Sequence, residues 1–203
     1  MAILVMVYGQ SGTGKSSSLR NLKPEQAGIV NVLGKPLPFR NVNGLRSLVT
    51  DDYDEIANAL SKSQTPSVII DDATYLMTDE FIRTARQSGY QKFTDMAVKF
   101  KQLLDFARAL PNNKVVYFFG HIERDQDGHE KFKTIGKLLD EKVCVEGLFT
   151  IVLKTVVQDG RYYFSTQNSG ADTVKTPMGM FENALIDNDL AMVDKVIREY
   201  YGV

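Results

Sequence analysis

The chain has 203 residues, of which 43% are hydrophobic and 24% charged, as in a single globular domain that can bury a proper core. Its formal net charge of −1 excludes a globally basic nucleic-acid-binding protein, so any such surface must be local. One cysteine and two histidines exclude an intramolecular disulfide, a cysteine-based zinc site and a histidine metal cluster.

The first predicted element is a buried strand over Ala2–Tyr8, which is an unbroken apolar run. This run is too short for a signal-peptide core and has no basic leader. No apolar stretch of the chain approaches the length of a membrane-spanning helix. We therefore expect a cytoplasmic protein with no membrane partner.

A glycine-rich motif follows this strand directly. Residues 9–16 match the phosphate-loop pattern G-x-x-x-x-G-K-[ST] at every fixed position, and Ser16–Leu22 can begin the helix that should follow. In such a loop the backbone N–H groups wrap a β-phosphate, Lys15 reaches the β- and γ-phosphates, and the Ser16 hydroxyl takes one Mg²⁺ position. A glycine-rich turn that binds nothing is the alternative. The predicted nucleotide-binding residues here are Gly9, Gln10, Ser11, Gly12, Thr13, Gly14, Lys15, Ser16 and Ser17.

Strands and helices alternate along the rest of the chain, which predicts an α/β domain over residues 1–203. We expect a mainly parallel sheet, flanked by helices and extended by an antiparallel hairpin near the C-terminus. The predicted strands are Gly28–Leu33, Val68–Ile70, Lys114–Phe119, Thr150–Val157 and Arg161–Thr166. The predicted helices are Asp51–Leu60, Thr78–Arg86, a second stretch with its apolar stripe from Phe93 to Ala107, and a final one with Ile186, Leu190, Val193, Ile197 and Tyr200 on one face.

The connecting segments carry three further expectations. Residues 34–45 and Ser169–Met180 are predicted loops because prolines and glycines interrupt them. The polar segment Ile122–Lys137 is typical of a mobile loop or a hairpin. Cys144 lies in the apolar run Val143–Val145, where we expect a small buried thiol and not a nucleophile.

Two aspartates follow the predicted strand Val68–Ile70. A phosphate loop requires a carboxylate that holds Mg²⁺ at the end of a neighbouring apolar strand, and Asp71 stands at that position. The alternative is a strand that happens to end at two turn-forming residues. Asp72 either orients the attacking water or caps the next turn.

His121 ends the strand Lys114–Phe119, after Gly120. Phosphate-loop ATPases commonly place a polar residue at this point to sense the γ-phosphate, and an imidazole N–H can donate a hydrogen bond to it. The alternative is a surface histidine at a strand end.

Several classes of phosphate-loop protein fit poorly. Asn113–Val116 departs from the guanine-reading pattern Asn-Lys-x-Asp at its last position, which argues against a GTPase. The Leu-Ser-Gly-Gly signature of transporter ATPases is absent from the sequence. Small nucleotide kinases carry an Asp-Arg pair and an arginine-rich lid. Glu123–Asp125, Arg83 and Arg86 resemble these features only weakly.

The chain most closely resembles the RecA-like ATPase core. The resemblance rests on the early loop, the late hairpin, the strand ends Ile69–Asp72 and Phe118–His121, and the segment Val174–Phe181. More narrowly, the chain is similar to the short AAA-type RecA-core proteins that bacteriophages encode for recombination and single-strand annealing. This resemblance covers nearly the whole chain.

The resemblance implies ATP and Mg²⁺ as cofactors, with ATP on Gly9–Ser16, Mg²⁺ on Asp71 and Ser16, and phosphate sensing by His121. It also implies that Lys175 reaches the ATP of a neighbouring subunit, the alternative being an ordinary solvated lysine. The implied partners are single-stranded DNA, further copies of the chain in a ring or filament, and a single-strand-binding protein. The implied compartment is the cytoplasm of a host.

One feature departs from the family. RecA-type enzymes carry a catalytic glutamate after the second strand, but here the corresponding residues Val32–Pro36 contain no carboxylate. Either Asp72 or a residue from elsewhere replaces it, or hydrolysis is slow, because a positioned base contributes about 10²–10⁴-fold. The alternatives to a DNA-stimulated ATPase are a nucleotide or small-molecule kinase and a non-hydrolysing, nucleotide-gated interaction module.

If the chain contacts DNA, the contacts are expected from the mobile loops after the third and fourth strands; the alternative is a solvated loop that binds nothing. Basic residues would bind phosphates and aromatic residues would stack on bases, although Phe93 has the register of a core residue. The candidates are Arg83, Arg86, Lys92, Arg124, Lys131, Lys133 and Lys137, with Tyr90, Phe93 and Phe132 for stacking.

Overall fold

A computed structural model describes residues 1–40 and 44–203 of the chain. Part of the predicted loop over 34–45 therefore lies outside the described residues. The strands are β1 Ile3–Tyr8, β2 Ala27–Asn31, β3 Ser47–Val49, β4 Ser67–Asp71, β5 Val115–Gly120, β6 Ile122–Arg124, β7 Glu130–Phe132, β8 Ile151–Gln158, β9 Arg161–Ser165 and β10 Leu185–Asp187. The α-helices are α1 Tyr53–Lys62, α2 Thr74–Arg83, α3 Gln91–Ala109, α4 Lys137–Lys142 and α5 Leu190–Tyr201. Short 3₁₀ helices cover Ser16–Asn21 and Glu146–Leu148.

The main sheet has the strand order β10-β9-β8-β1-β5-β4-β2-β3. All neighbours from β8 to β3 are parallel, whereas β9 pairs antiparallel with both β8 and β10. The expected mainly parallel α/β sheet with a C-terminal antiparallel hairpin is therefore confirmed. Strands β6 and β7 form a separate two-stranded antiparallel sheet.

Both faces of the central strands are buried, which is why their sequences are continuous apolar runs. In β1, Leu4, Met6 and Tyr8 pack towards α1–α3, and Ile3, Val5 and Val7 pack towards α5 and the helix Ser16–Asn21. The apolar stripe of α3 lies in the first of these cores, as predicted. Its buried members are Met96, Ala97, Phe100, Leu103, Leu104 and Ala107.

The two helices next to the strand ends differ from their predicted form. The segment after the glycine-rich loop is a 3₁₀ helix of six residues and not an α-helix. Helix α2 begins at Thr74, four residues earlier than expected, and ends at Arg83 instead of Arg86. Its first turn follows β4 almost directly, so the helix is anchored next to Asp72.

Other corrections concern strands and exposure. Ile186 belongs to β10, not to the final helix, because it pairs with Phe164 of β9. Strand β3 was not predicted; its three residues are all exposed. Cys144 is exposed, and the expectation of a buried thiol was wrong. Within residues 1–40 and 44–203, no helix combines the length and apolar character needed to span a membrane.

Candidate functional site

The ends of three neighbouring parallel strands bring the predicted site residues together. Strand β5 lies between β1 and β4, and Tyr8 at the end of β1 is level with Gly120 at the end of β5. The residues that follow these strands are Gly9, His121 and Asp72. They therefore share the carboxyl edge of the sheet, where the polar residues of parallel α/β proteins usually meet their ligands.

The glycine-rich loop needs glycine at two positions for different reasons. A Cβ atom on Gly9 would lie 1.9 Å from Thr155 Oγ1, so β8 leaves no room for a side chain there. Gly14 has a φ of +98°, a conformation that other residues adopt only with strain. The hydroxyls of Thr13 and Thr155 are 2.6 Å apart, which ties the loop to β8.

Lys15 folds back onto its own loop. Its ammonium donates hydrogen bonds of 2.9 Å to the carbonyls of Gly9 and Gln10, and the residue is 6% exposed. Burial lowers the pKa of Lys15 to about 8, against the attraction of Asp72 and Asp71. Among the described residues its direct partners are these neutral oxygens, and a desolvated cation of this kind is well placed to bind an anion.

Ser16 and Asp71 meet across the edge of the sheet. The Ser16 hydroxyl donates a 3.0 Å hydrogen bond to Asp71 Oδ1. Burial, followed by the charge of Asp72, raises the pKa of the Asp71 carboxyl to about 6. A hydroxyl and a buried carboxylate in contact supply the hard oxygen ligands that Mg²⁺ prefers, so this pair fits the predicted metal position.

Asp72 has its own partners and an unusual backbone. Its φ is +63°, and its carboxylate lies 2.6 Å from Lys35 Nζ and 3.6 Å from His121 Nε2. Burial alone would raise the pKa of Asp72, but His121 and Lys35 hold it below its usual value. No side-chain hydrogen bond caps α2, so the expected alternative of a capping role for that helix was wrong.

His121 is packed between the strand end and α2. Its ring meets the edge of Tyr75 at a centroid distance of 5.5 Å, and its backbone N–H donates to Thr74 Oγ1. Its Nε2 is buried and has no hydrogen-bond partner among the described residues. The side chain is 20% exposed and faces Asp72.

Other predicted residues lie elsewhere or have other partners. Lys175 is exposed, and its backbone pairs with Val152 of β8. Phe132 is 1% exposed and packs on Phe100, so the suggestion that it stacks on bases was wrong. Phe93 is half-buried and contacts Phe81, as its register indicated.

The predicted DNA-contacting residues are a mixed set. Arg83 pairs with Asp51, and Arg124 pairs with Glu130. Lys92 donates to three backbone carbonyls. Tyr90 is 89% exposed and remains a candidate for stacking. The exposed members of the basic set are Arg83, Arg86, Arg124, Lys133 and Lys137.

Three residues near the loop were not predicted from the sequence. Lys35 follows β2, and its contact with Asp72 could have been suggested by the pairing of β2 with β4. Tyr162 and Asn188 both lie against Gly14. No local signal in the sequence points to them, because the fold brings them to the loop from more than 140 residues away.

The arrangement collects an ammonium, a hydroxyl, two carboxylates and an imidazole on one edge of the sheet, which suits chemistry on a phosphate ester. Comparison with known proteins adds no family: the chain matches no protein-family model and no curated protein.

Proposed function

We propose that this chain binds and hydrolyses ATP at the Gly9–Ser16 loop. The observation that carries the proposal is the meeting of Ser16 with Asp71, 3.0 Å apart, beside the buried ammonium of Lys15. The loop matches the phosphate-binding pattern at every fixed position, and the carboxylate stands where the metal of such a site is held. Motif and geometry thus support the same chemistry independently.

Each side chain has a role in this proposal. Lys15 leaves the carbonyls of Gly9 and Gln10 to contact the β- and γ-phosphates. Asp71 and Ser16 hold Mg²⁺, which neutralises phosphate charge when it is bound. His121 Nε2, which faces Asp72 at 3.6 Å, donates to the γ-phosphate. Asp72, kept ionised by its neighbours, accepts a hydrogen bond from the attacking water.

The cellular role that we propose is ATP-dependent recombination or annealing on single-stranded DNA, by an oligomer of this chain. It is supported by the resemblance to short phage-encoded RecA-like proteins. The groups available for DNA are the exposed ring of Tyr90 and the exposed basic side chains of Arg86, Lys133 and Lys137. Weak sites of this kind would add together along a filament or ring.

A second candidate function is a nucleotide-gated module that does not turn over. It is favoured by one observation: the chain carries Lys35, a cation, after β2, where a RecA-type enzyme carries its catalytic glutamate. In this version ATP stabilises a binding conformation and Asp72 activates no water.

The test is ATP hydrolysis by the purified protein with Mg²⁺, with and without a single-stranded oligonucleotide. Lys15→Ala is expected to reduce turnover at least about 100-fold, because a charge aimed at the transferred phosphate is lost. The exposed Lys195→Ala variant is the matched control and should behave like the wild type. Normal turnover in Lys15→Ala would overturn the proposed site.

The DNA arm of the experiment separates the candidate roles. Stimulation of turnover by the oligonucleotide supports the recombination role. Turnover that is indifferent to DNA would favour a kinase, and a screen of nucleosides and nucleoside monophosphates as acceptors follows. ATP binding with no turnover at all would favour the nucleotide-gated module.

A further inference from the structure

A buried amide next to the loop has no partner. Asn188 is 2% exposed, and neither its Oδ1 nor its Nδ2 makes a hydrogen bond within the described part of the chain. Its backbone, by contrast, is fixed: the N–H donates to the Tyr162 carbonyl and the carbonyl accepts from the Arg20 guanidinium. Buried polar groups are almost always paired, so an amide held in place with both ends free requires an explanation.

The amide lies against the glycine-rich loop. A Cβ atom built on Gly14 would be 3.1 Å from Asn188 Oδ1 and 2.9 Å from the Tyr162 ring. Both side chains therefore touch the residue before Lys15. Tyr162 comes from β9 of the C-terminal hairpin and is 48% exposed, so its ring has room to move.

An open cavity of about 590 Å³ begins at this point. We call it the hairpin cavity; its lining includes Ser17, Arg20, Arg161, Tyr162 and Asn188. Ser17 directly follows Ser16, so the cavity starts where the phosphate-binding loop ends. Its volume is within the range of small-ligand pockets.

We propose that the hairpin cavity is the nucleoside subsite of the proposed nucleotide site, and that the Asn188 amide selects adenine. The inference rests on the proposed function, because the phosphates anchor the ligand at the loop. The ring of Tyr162 turns away from the amide and stacks on the base, and Asn188 then pairs with the exposed base edge.

The chemistry of the amide identifies the base. Adenine presents an N6–H donor next to the N7 acceptor, and an asparagine side chain matches this pair with its Oδ1 and Nδ2. Guanine presents two acceptors, O6 and N7, on the same edge. One end of the amide would stay unpaired against guanine, and a site built around a hydrogen bond rejects a ligand that leaves its buried group unpaired.

The experiment compares three ligands by calorimetric titration of the whole protein with Mg²⁺: ATP, GTP and inorganic tripolyphosphate. Wild type should bind ATP about 5- to 150-fold more tightly than GTP, the range for one bidentate amide–base pair. Asn188→Leu, of similar size but without polar atoms, should lose this preference and keep its affinity for tripolyphosphate. Asn58→Leu on the exposed face of α1 is the control and should keep both.

Each outcome decides the inference. An unchanged ATP-to-GTP ratio in Asn188→Leu overturns it, as does a wild type that binds ATP no more tightly than tripolyphosphate. If Asn188→Leu does not fold in a thermal scan, Tyr162→Ala takes its place: it should weaken ATP and GTP but not tripolyphosphate, and unchanged nucleotide affinity overturns the inference. Tripolyphosphate binding that depends on Lys15 without base preference removes this inference alone. Failure of all three ligands to bind removes the proposed function as well.

Discussion

Two clusters of buried polar side chains lie at opposite ends of the parallel sheet. The first, the amino-end cluster, consists of Ser67, Tyr117, Asp194 and Arg198. Asp194 accepts hydrogen bonds from Ser67, from Tyr117 at 2.8 Å and from Arg198 at 2.8 Å. Arg198 also donates to Ser67 and to the Asn113 carbonyl. This cluster joins α5 to β4 and β5, and its side chains are paired with one another.

The second, the loop cluster, consists of Lys15, Asp71, Asp72 and His121. It lies at the other end of the same strands, since Ser67 begins β4 and Asp71 ends it. Here burial lowers the pKa of Lys15 to about 8 and raises that of Asp71 to about 6. His121 Nε2 has no hydrogen-bond partner in the described part of the chain, and Asp72 has a left-handed backbone.

The difference separates a scaffold from a candidate site. Saturated hydrogen bonding stabilises the fold and leaves nothing for a ligand to contact. A buried imidazole nitrogen without a hydrogen bond and a strained φ are unfavourable in the protein alone, and such features concentrate where a ligand or reaction makes use of them. We therefore expect the amino-end cluster to govern stability and the loop cluster to govern activity.

The largest effect should come from Asp71→Asn. The amide still accepts the Ser16 hydrogen bond but cannot hold Mg²⁺ by charge, so Mg²⁺-dependent turnover should fall about 10²–10³-fold. Nucleotide binding should suffer less than turnover. Steady-state hydrolysis and nucleotide titration measure the two quantities, and normal turnover would move the metal site elsewhere.

The same variant should not be less stable at neutral pH. Because the folded pKa of Asp71 is raised to about 6, this carboxyl favours the folded state below its ordinary value of 3.8, and that contribution is lost as the pH rises through 6. Asn at position 71 does not ionise, so the variant does not lose stability in this way. The urea midpoint of Asp71→Asn, measured relative to that of wild type, should therefore rise between pH 4 and pH 7. A urea midpoint of the variant that falls relative to wild type between pH 4 and pH 7 would contradict this expectation.

Asp194→Ala should lower the stability of the fold and leave the nucleotide site unchanged. Removal of the shared acceptor leaves the Tyr117 hydroxyl without its partner and Arg198 without its carboxylate, at a cost of about 3 kcal/mol. For a chain of this size the thermal midpoint should fall by about 6–12 °C. The affinity for ATP below that temperature should stay that of wild type. Asp194→Asn keeps an acceptor and should lose less stability.

Features of the fold and site that are encoded in neighbouring residues can be predicted from the sequence, whereas contacts between residues far apart in the chain cannot. The glycine-rich loop, the strand before it and Asp71 are encoded locally, in a motif and in apolar runs that end at polar residues. They were placed within one or two residues. The amino-end cluster was missed because an aspartate on a helix face carries no mark of the serine and tyrosine that it will meet after folding.

The errors have the same origin. Phe132 sits in a polar segment, and only its packing on Phe100 shows that it belongs to the core. Cys144 sits in an apolar run, yet three apolar residues do not determine which of them is exposed. Lys35 was read only as a missing glutamate, because the alignment of β2 with β4 that brings it to Asp72 is a property of the sheet.

A third group of charged residues lies near the glycine-rich loop but is fully paired. It tests whether closeness to the loop or the lack of hydrogen-bond partners makes a cluster important for activity. Lys154 of β8 lies 2.7 Å from Asp172 and 3.2 Å from Glu130, and the Asp172 side chain is fully buried. This group is near the loop but is paired, so it should behave like the amino-end cluster. Lys154→Met should cost about 1–2 kcal/mol of stability, with little effect on turnover, and the exposed Lys133→Met is its control.

Acid should reduce the difference in stability between wild type and Lys154→Met. Burial raises the pKa of Asp172, but Lys154 and Ser169 hold it below its usual value of 3.8. A lowered carboxyl pKa stabilises the fold above 3.8 and loses that contribution as the pH falls through the folded value. The stability gap between wild type and Lys154→Met should therefore be largest at pH 7 and narrow below pH 4 in urea unfolding. A gap that does not change with pH would mean that packing, not charge, accounts for it.

The smallest effect on stability belongs to Lys35, which is more than half exposed in its contact with Asp72. Lys35→Met should cost under about 1 kcal/mol, as for other solvent-exposed ion pairs. Its informative effect is on the pH profile. Lys35, together with His121, keeps the pKa of Asp72 low, so loss of the ammonium raises that pKa and moves the acid limb of turnover to higher pH. Lys35→Arg retains the charge and should leave the limb in place. An acid limb that is identical in all three proteins would show that turnover does not require an ionised Asp72, and would assign this strained residue to holding Lys35 and His121 in position rather than to activating water.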